Sequence, residues 1–285
     1  MAHLQRKFKV SERRACRVVG QQRSTQRYVV VPSDFEARLV KEMKAFAEAN
    51  PRWGYRRIHA LLVDVGWAVN LKRIERLWRA EGLRVPPRRK NRPGGKGPGQ
   101  AGNSAWARPA LRPGHTWSYD FVALRTQDGR PLRVLNVVDE YTRVAVGFHV
   151  ARSIGTRAVQ KVLEGLFQTH PPPQLIRSDN GKEFISSGLI QWLGDQGVTA
   201  VPVAKASPQQ NCYVERFNGS MRDELLDGEL FHSVLEAKVV IGRWIDDYNH
   251  RRPHRGLGMI TPVAFDKAER ARIAVGSSDG YEGSG

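Results

Sequence analysis

Apolar positions along the chain recur with two different periods, and the change between them divides the sequence. Between residues 33 and 80 the period is helical. Phe35, Leu39, Met43 and Phe46 fall at i, i+4, i+8 and i+11 and predict a helix that stops at Asn50-Pro51. Residues 54–63 predict a second helix with Ile58, Leu61 and Leu62 inward. Residues 70–80 predict a third with Leu71, Ile74, Leu77 and Trp78 inward, closed by Gly82. From residue 116 the pattern shortens to aromatic and β-branched runs, which predict strands. Residues 116–124 read as a central strand, 132–139 and 143–150 as its antiparallel neighbours, and 174–179 and 198–203 as a fourth and fifth strand. Helices are predicted at 156–168, at 189–196 and at 235–249, the last with Val239, Val240 and Trp244 inward. Strands that give way to alternating strand and helix imply an α/β fold, a mixed sheet covered by helices.

Two flanking stretches complete the organisation. Residues 11–28 predict a pair of short helices about Gly20, a basic pair that fits either a helix-turn-helix or an ordinary helical hairpin. Between Arg84 and Pro113 the chain carries eight basic residues, no acid and repeated Pro and Gly, which predicts a linker with no core of its own. The expected units are therefore a basic segment at 1–30, a three-helix module at 31–85, a linker at 86–112, an α/β core at 113–268 and a flexible tail at 269–285.

Charge adds a partner to this picture. Lys and Arg number 46 against 28 acids, a formal +18, and such an excess favours a polyanion, with nucleic acid foremost. Cysteine excludes two classes: Cys16 and Cys212 offer neither a disulfide framework nor a four-thiolate zinc site. No apolar run suits a signal peptide or the roughly 20 residues of a membrane span, so a cytoplasmic protein is expected.

Candidate chemistry rests on carboxylates. Asp120 lies in the middle of the first strand, where burying a charge is costly unless something compensates it. Asp179 ends the fourth strand and is followed by the turn signal Asn180-Gly181. Ser207-Pro208-Gln209-Gln210 has the form of a capping box, predicting a helix over 208–226. On that helix Val214, Phe217, Met221 and Leu225 make the apolar stripe, and Asn211, Glu215, Asn218 and Arg222 share the other, polar face. Mg²⁺ takes oxygen ligands, so three acids from two strands and a helix could form its site. Asp139 is a rival, but its place at a turn suggests local bonds to backbone amides or Arg143. Glu183 is assigned to the rim of the site.

These residues carry a resemblance. Asp120, the Asp179 of SDNGKEF, and Glu215 with 35 residues between it and Asp179 resemble the DDE triad of the retroviral integrase superfamily, a ribonuclease-H-like fold. Adding SERRACRVVGQQRSTQRY, RWGYRRIHALL, Arg222 seven residues past Glu215, and YNHRRPHRGLGMITP, the chain is similar to second-reading-frame transposases of the bacterial insertion-sequence-three family. The resemblance implies a ribonuclease-H-like mixed-sheet catalytic core preceded by small all-α, helix-turn-helix-type DNA-binding modules. It implies two Mg²⁺ ions, with Mn²⁺ able to substitute, held by Asp120, Asp179 and Glu215, which nick the ends of an element and join the 3′-ends to DNA. Arg56, Arg57, Lys72, Arg73, Arg76, Asn180, Asn211 and Arg222 are the expected DNA contacts, and the NHRRPHR run the expected phosphate-facing loop. The implied partners are double-stranded DNA, further copies of the chain on that DNA, and the first-reading-frame product of the same element. From the residues alone, a DNA-binding regulator without catalysis and a ribonuclease-H-like nuclease that cuts without joining stay open.

Overall fold

The computed structural model describes residues 2–28, 34–87, 109–203 and 211–278. The chain divides into two compact units, Met1–Ala45 and Phe46–Gly285.

In the first unit, α1 (Ala2–Phe8) precedes α2 (Glu12–Val19), α3 (Arg23–Arg27) and most of α4 (Asp34–Ala49). The pair predicted about Gly20 is present, and local chemistry explains both ends of α2. The Ser11 hydroxyl accepts from the Arg14 amide at 3.3 Å, and Gly20 at φ 70° takes up the left-handed turn that side-chain-bearing residues resist. Glu12 then accepts from the Arg27 guanidinium at 2.8 Å, tying α2 to α3. Leu39 and Met43 of α4 are fully buried as the periodicity requires, whereas Phe35 is exposed.

The second unit begins with α5 (Tyr55–Asp64) and α6 (Leu71–Ala80), which bury Ile58, Leu61, Leu62, Ile74, Leu77 and Trp78. Leu71, expected inward, is exposed because it stands next to the cap, where Asn70 accepts from the Arg73 amide at 2.8 Å. The linker lies outside the described residues between 88 and 108.

Five strands follow: β1 (Thr116–Arg125), β2 (Pro131–Asp139), β3 (Ala145–Ala151), then α7 (Thr156–Thr169), β4 (Leu175–Ser178), α8 (Ser187–Asp195) and β5 (Thr199–Pro202). Their order in the sheet is β3-β2-β1-β4-β5, with β1, β2 and β3 antiparallel and β4 and β5 parallel to β1. Side chains alternate across β1 and divide the core in two. Trp117 and Tyr119 join Leu135, Ile176, Val159, Leu163 and Leu189 beneath α7 and α8. Val122 joins Val134, Val138 and the helices of the opposite face. Burying such side chains contributes on the order of 1.5–3 kcal/mol each. Asp120 shares the parity of Val122 and so faces those second helices.

They are α9 (Cys212–Met221), a π-helical turn Arg222–Leu226, α10 (Val234–His250), a short 3₁₀ turn Arg255–Leu257, and α11 (Pro262–Ser278). Val214, Phe217 and Met221 are buried as predicted, but the π turn inserts one residue, so Leu226 takes the buried place and Leu225 packs against the same core half-buried. The proposed cap at Ser207-Pro208 lies outside the described residues. On α10 the buried face is Ala237, Ile241, Ile245 and Tyr248, with Val240 and Trp244 packed against the same core as predicted, while Val239 is exposed, correcting that one position. Helix α11 runs through residue 278, where a flexible tail from 269 was expected. Among the described residues no helix is long and apolar enough to cross a membrane.

Buried polar groups fasten these layers. Asp139 accepts from the backbone amides of Gly114, Tyr141 and Thr142 at 2.6–3.1 Å, the local role anticipated for it. Glu140 and Arg177 form a buried ion pair at 3.0 Å, where desolvation pushes the carboxyl up to about 7 despite the guanidinium. Asn249 of α10 accepts from the Ala145 amide at 2.9 Å and donates to the Ala145 carbonyl at 3.0 Å, so one side chain pairs with the start of β3 as a strand would. Replacing Asn249 with Ala leaves both backbone groups unpaired in a buried place. The variant is expected to lose roughly 2–3 kcal/mol in urea unfolding; wild-type stability would show that the pairing adds nothing.

Candidate active site

Asp120 pairs across the ladder with Asn136 of β2, and both side chains face α9. Asn218 of α9 closes on the two of them. Its Nδ2 donates to Asp120 Oδ2 at 2.9 Å while its Oδ1 accepts from Asn136 Nδ2 at 2.7 Å. Asp120 Oδ1 takes a further bond from the Phe121 amide at 2.7 Å. The carboxylate is thus oriented through three elements, and the helix is fixed in register against the sheet.

Parallel pairing brings the second acid alongside. Ser118 of β1 is level with Arg177 of β4, and continuing that register by two residues carries Asp120 level with Asp179. The SDNGKEF turn is built to hold Asp179 there. Its Oδ1 accepts from the Gly181 amide at 3.0 Å, and a Cβ at Gly181 would stand 3.0 Å from that oxygen and 3.2 Å from the Phe184 ring, so only glycine fits without displacement. Phe184 is buried, stacked on Phe121 with centroids 4.6 Å apart and set edge-on to Tyr119 at 4.4 Å. Asn180 donates to the Val203 carbonyl at 2.7 Å, and Glu183 accepts from Arg133 at 2.6 Å.

Glu215 lies in the first turn of α9, three residues before Asn218 and on its side of the helix, with an exposed side chain. Three carboxylates then share one field. Desolvation raises the Asp120 pKa most, Asp179 raises it further, and the Phe121 amide, Asn218 and Arg222 lower it. Glu215 is raised first by desolvation and then by the charges of Asp120 and Asp179. Among the described residues no three acidic, imidazole or thiolate groups converge closely enough to enclose an ion. The donor chemistry nevertheless fits a hard divalent cation: all three are carboxylates, and their mutual repulsion is relieved by positive charge placed among them.

The expected DNA contacts separate into two groups. Arg56, Lys72, Arg73, Arg76 and Arg222 are exposed. Arg57 is half-buried and bonds Glu224 at 3.3 Å, Asn180 is exposed while donating to the Val203 carbonyl, and Asn211, 3% exposed, is the one of the three that is buried away from a DNA contact. Within the NHRRPHR run Asn249 and Arg252 are committed to internal contacts, whereas Arg251 and Arg255 are exposed. Arg252 is buried and bonds Glu224 through Nη2 at 2.6 Å and Nε at 2.9 Å, and Asn249 serves the sheet. Glu224 thereby joins RWGYRR to RRPHR, with Arg52 bonding the adjacent Asp223. Sequence reasoning missed Asn218 and Asn136 as partners of Asp120. The available signal was a lone amide inside the apolar run Leu135-Asn136-Val137-Val138.

Comparison with known proteins agrees with this architecture. An HTH-like domain family matches residues 34–91, and two Integrase core domain families match residues 110–208 and 196–262. An uncharacterized 31.7 kDa protein of insertion element IS407 from Burkholderia multivorans is 38% identical over 95% of this chain and 96% of its own length. An uncharacterized 39.2 kDa protein of insertion element IS476 from Xanthomonas euvesicatoria is 37% identical over 93% of this chain and 75% of its own. Among solved structures, the HTLV-2 integrase catalytic core domain in complex with magnesium (trimeric form) is 16% identical with a TM-score of 0.45, covering 55% of this chain and 99% of that one. An HTH-like module ahead of an integrase core defines the class, and the chain belongs to the integrase-core family of insertion-element transposases.

The raised carboxylates determine how metal-free protein responds to pH. Asp120 and Glu215 hold protons in the folded state to higher pH than in the unfolded chain. The native state therefore binds more protons across that window, and its stability falls as pH rises through it. Asp120→Asn removes one of these charges. Its melting temperature is expected to match wild type near pH 4 and to exceed it near pH 8, by ~2–4 °C for each kcal/mol recovered. A variant less stable than wild type at the alkaline end would contradict this electrostatic account.

Proposed function

We propose that the chain is a DNA transposase that nicks the ends of its element and joins the freed 3′-ends to target DNA by metal-dependent phosphoryl transfer. The observation that carries the proposal is the shared field of Asp120, Asp179 and Glu215, delivered from β1, the end of β4 and α9. Bound divalent ions would supply activation of the attacking hydroxyl and neutralisation of charge on the leaving oxygen. Asp120 is the best-oriented donor, held by Asn218 and the Phe121 amide, and Asp179 and Glu215 present theirs from either side. Arg222, exposed and close enough to Asp120 to lower its pKa, is suited to a DNA phosphate beside the metals rather than to the metals themselves. Asn218 and Asn136 are positioning residues for Asp120.

Affinity for DNA comes from elsewhere in the chain. Arg56 on α5 and Lys72, Arg73 and Arg76 on α6 offer exposed cations for phosphates, within the segment that matches the HTH-like family. Processing two ends of an element in concert calls for at least two copies on DNA, so a homo-oligomer assembled on DNA is part of the proposal. A Lactococcus lactis relative, 28% identical over 80% of this chain, is named a transposase for insertion sequence element IS904, in keeping with this reading.

Purified protein incubated with duplexes bearing candidate element ends and Mg²⁺ is expected to yield nicked and joined strands on sequencing gels, and neither with EDTA. Asp120→Asn, Asp179→Asn and Glu215→Gln are each expected to abolish both products while DNA binding is retained. Their losses should be non-additive, because a metal site fails as a unit. Nicking without joining would mark a nuclease instead. Wild-type cleavage by any one of the three would remove that residue from the site.

A further inference from the structure

Helix α9 has a second, cavity-lining face. Tyr213, Arg216, Phe217 and Ser220 lie on the side opposite Glu215 and Asn218 at 3.6 residues per turn, and they line a cavity of about 290 Å³. Arg57, Arg143, Arg252, His254 and Arg255 complete its polar wall. Five guanidinium groups line this small space, and the protein supplies only part of the opposing charge. Glu224 answers Arg57 and Arg252. Glu140 is close enough to feel Arg143, yet its ion pair is with Arg177. Among the described residues no carboxylate forms an ion pair with Arg143, Arg216 or Arg255.

Arg143 stands out among these. It follows β2 at φ 66°, in the left-handed region that residues bearing Cβ rarely adopt, and such strain is typically kept where it serves a site. Its guanidinium is stacked 3.7 Å from the centre of the Tyr213 ring, which fixes the plane, and its Nη1 is buried with no hydrogen-bond partner among the described residues. A fixed guanidinium with an unused buried donor is suited to a tetrahedral oxyanion. Burial and the Arg252 and Arg57 charges hold the neighbouring His254 ring down to about 3, as expected in a strongly positive cavity.

We infer that this cavity is a binding site for a DNA backbone phosphodiester, separate from the carboxylate cluster and separated from it by the body of α9. A helix is ~10–12 Å across with its side chains, so the phosphate held here is not the one that reacts. The site would grip a flanking phosphate and brace the helix that carries Glu215. The inference rests on the reading of the chain as a DNA-processing enzyme.

The test uses the full chain and fluorescently labelled duplex DNA, with anisotropy titrations at several salt concentrations for wild type, Arg143→Gln, Arg216→Gln and Arg255→Gln. Each variant is expected to bind roughly tenfold more weakly and to flatten the slope of log K against log salt by about one. The three substitutions lie on three different elements, so misfolding of one leaves the others decisive. Steep, salt-dependent binding by wild type with no change in any folded variant would overturn the phosphate site and leave the DNA reading standing. Absence of DNA binding by wild type would overturn both. Inorganic phosphate at constant ionic strength separates the remaining source: if the variants lose phosphate binding but keep DNA affinity, the cavity serves the free ion and the phosphodiester assignment is wrong.

Discussion

Asp120 occupies the middle of a central strand, and a charge there has to be answered from across the sheet by groups already in place. Asn136 is its ladder partner and Asn218 spans the two, donating to one and accepting from the other. That pair of bonds does more than solvate a carboxylate. It allows α9 one register against the sheet, since sliding the helix by a single residue would remove the amide and bring Gly219 or Phe217 over the acid. Once Asn218 is fixed, helical spacing places Glu215 one turn earlier and Arg222 one turn later on the same side. Two members of the carboxylate cluster and the nearby cation thus follow from one buried amide.

Glu224 extends the same logic beyond the helix. The π turn at Arg222–Leu226 shifts the register by one residue, buries Leu226, and presents Asp223 and Glu224 to Arg52, Arg57 and Arg252. Two motifs that look like phosphate binders in the linear sequence, RWGYRR and NHRRPHR, commit part of their charge to this internal network. Breaking it by removing Glu224 would leave Arg252 buried without a counter-ion, a far larger penalty than losing a surface pair. The arginines left over, Arg143, Arg216 and Arg255 around the reverse face of α9, give the remaining excess charge a direction.

Much of this was legible before the structure. The helical period found α5 and α6 and their buried residues, β-branched runs found all five strands, and the turn signal after Asp179 placed it at a strand end. Orientation was less legible wherever two faces of a helix are both apolar. Val239 was expected inward on α10, yet Ala237, Ile241 and Ile245 make the tighter line, since α10 packs on β3 where Phe148 lies 3.2 Å from the position a Cβ on Gly242 would take. The helical stripe of α9 was read correctly until the π turn, which inserts a residue that no periodicity announces. Long-range polar pairing was the least accessible feature. Asn211 and Asn218 are the same residue type on one predicted face; the first is buried beside the turn that starts α9 and the second orients Asp120, a difference created by Asn136 some eighty residues away.

In the metal-free protein the cluster is held against its own repulsion, with Asp120 and Glu215 both raised by desolvation and by neighbouring charge. The fold evidently tolerates that cost at the place where a cation would relieve it. Calorimetric titration of Mg²⁺ into the full chain, wild type against Asp179→Asn, tests this most directly. Asp179 is exposed, and among the described residues its side chain bonds only within its own turn, so the substitution leaves the core intact. The account predicts a measurable binding isotherm for wild type and its loss, or a weakening of at least tenfold, in the variant, with melting temperature in EDTA unchanged or higher. A variant that binds Mg²⁺ as wild type does would contradict the claim that the three carboxylates form one cation site.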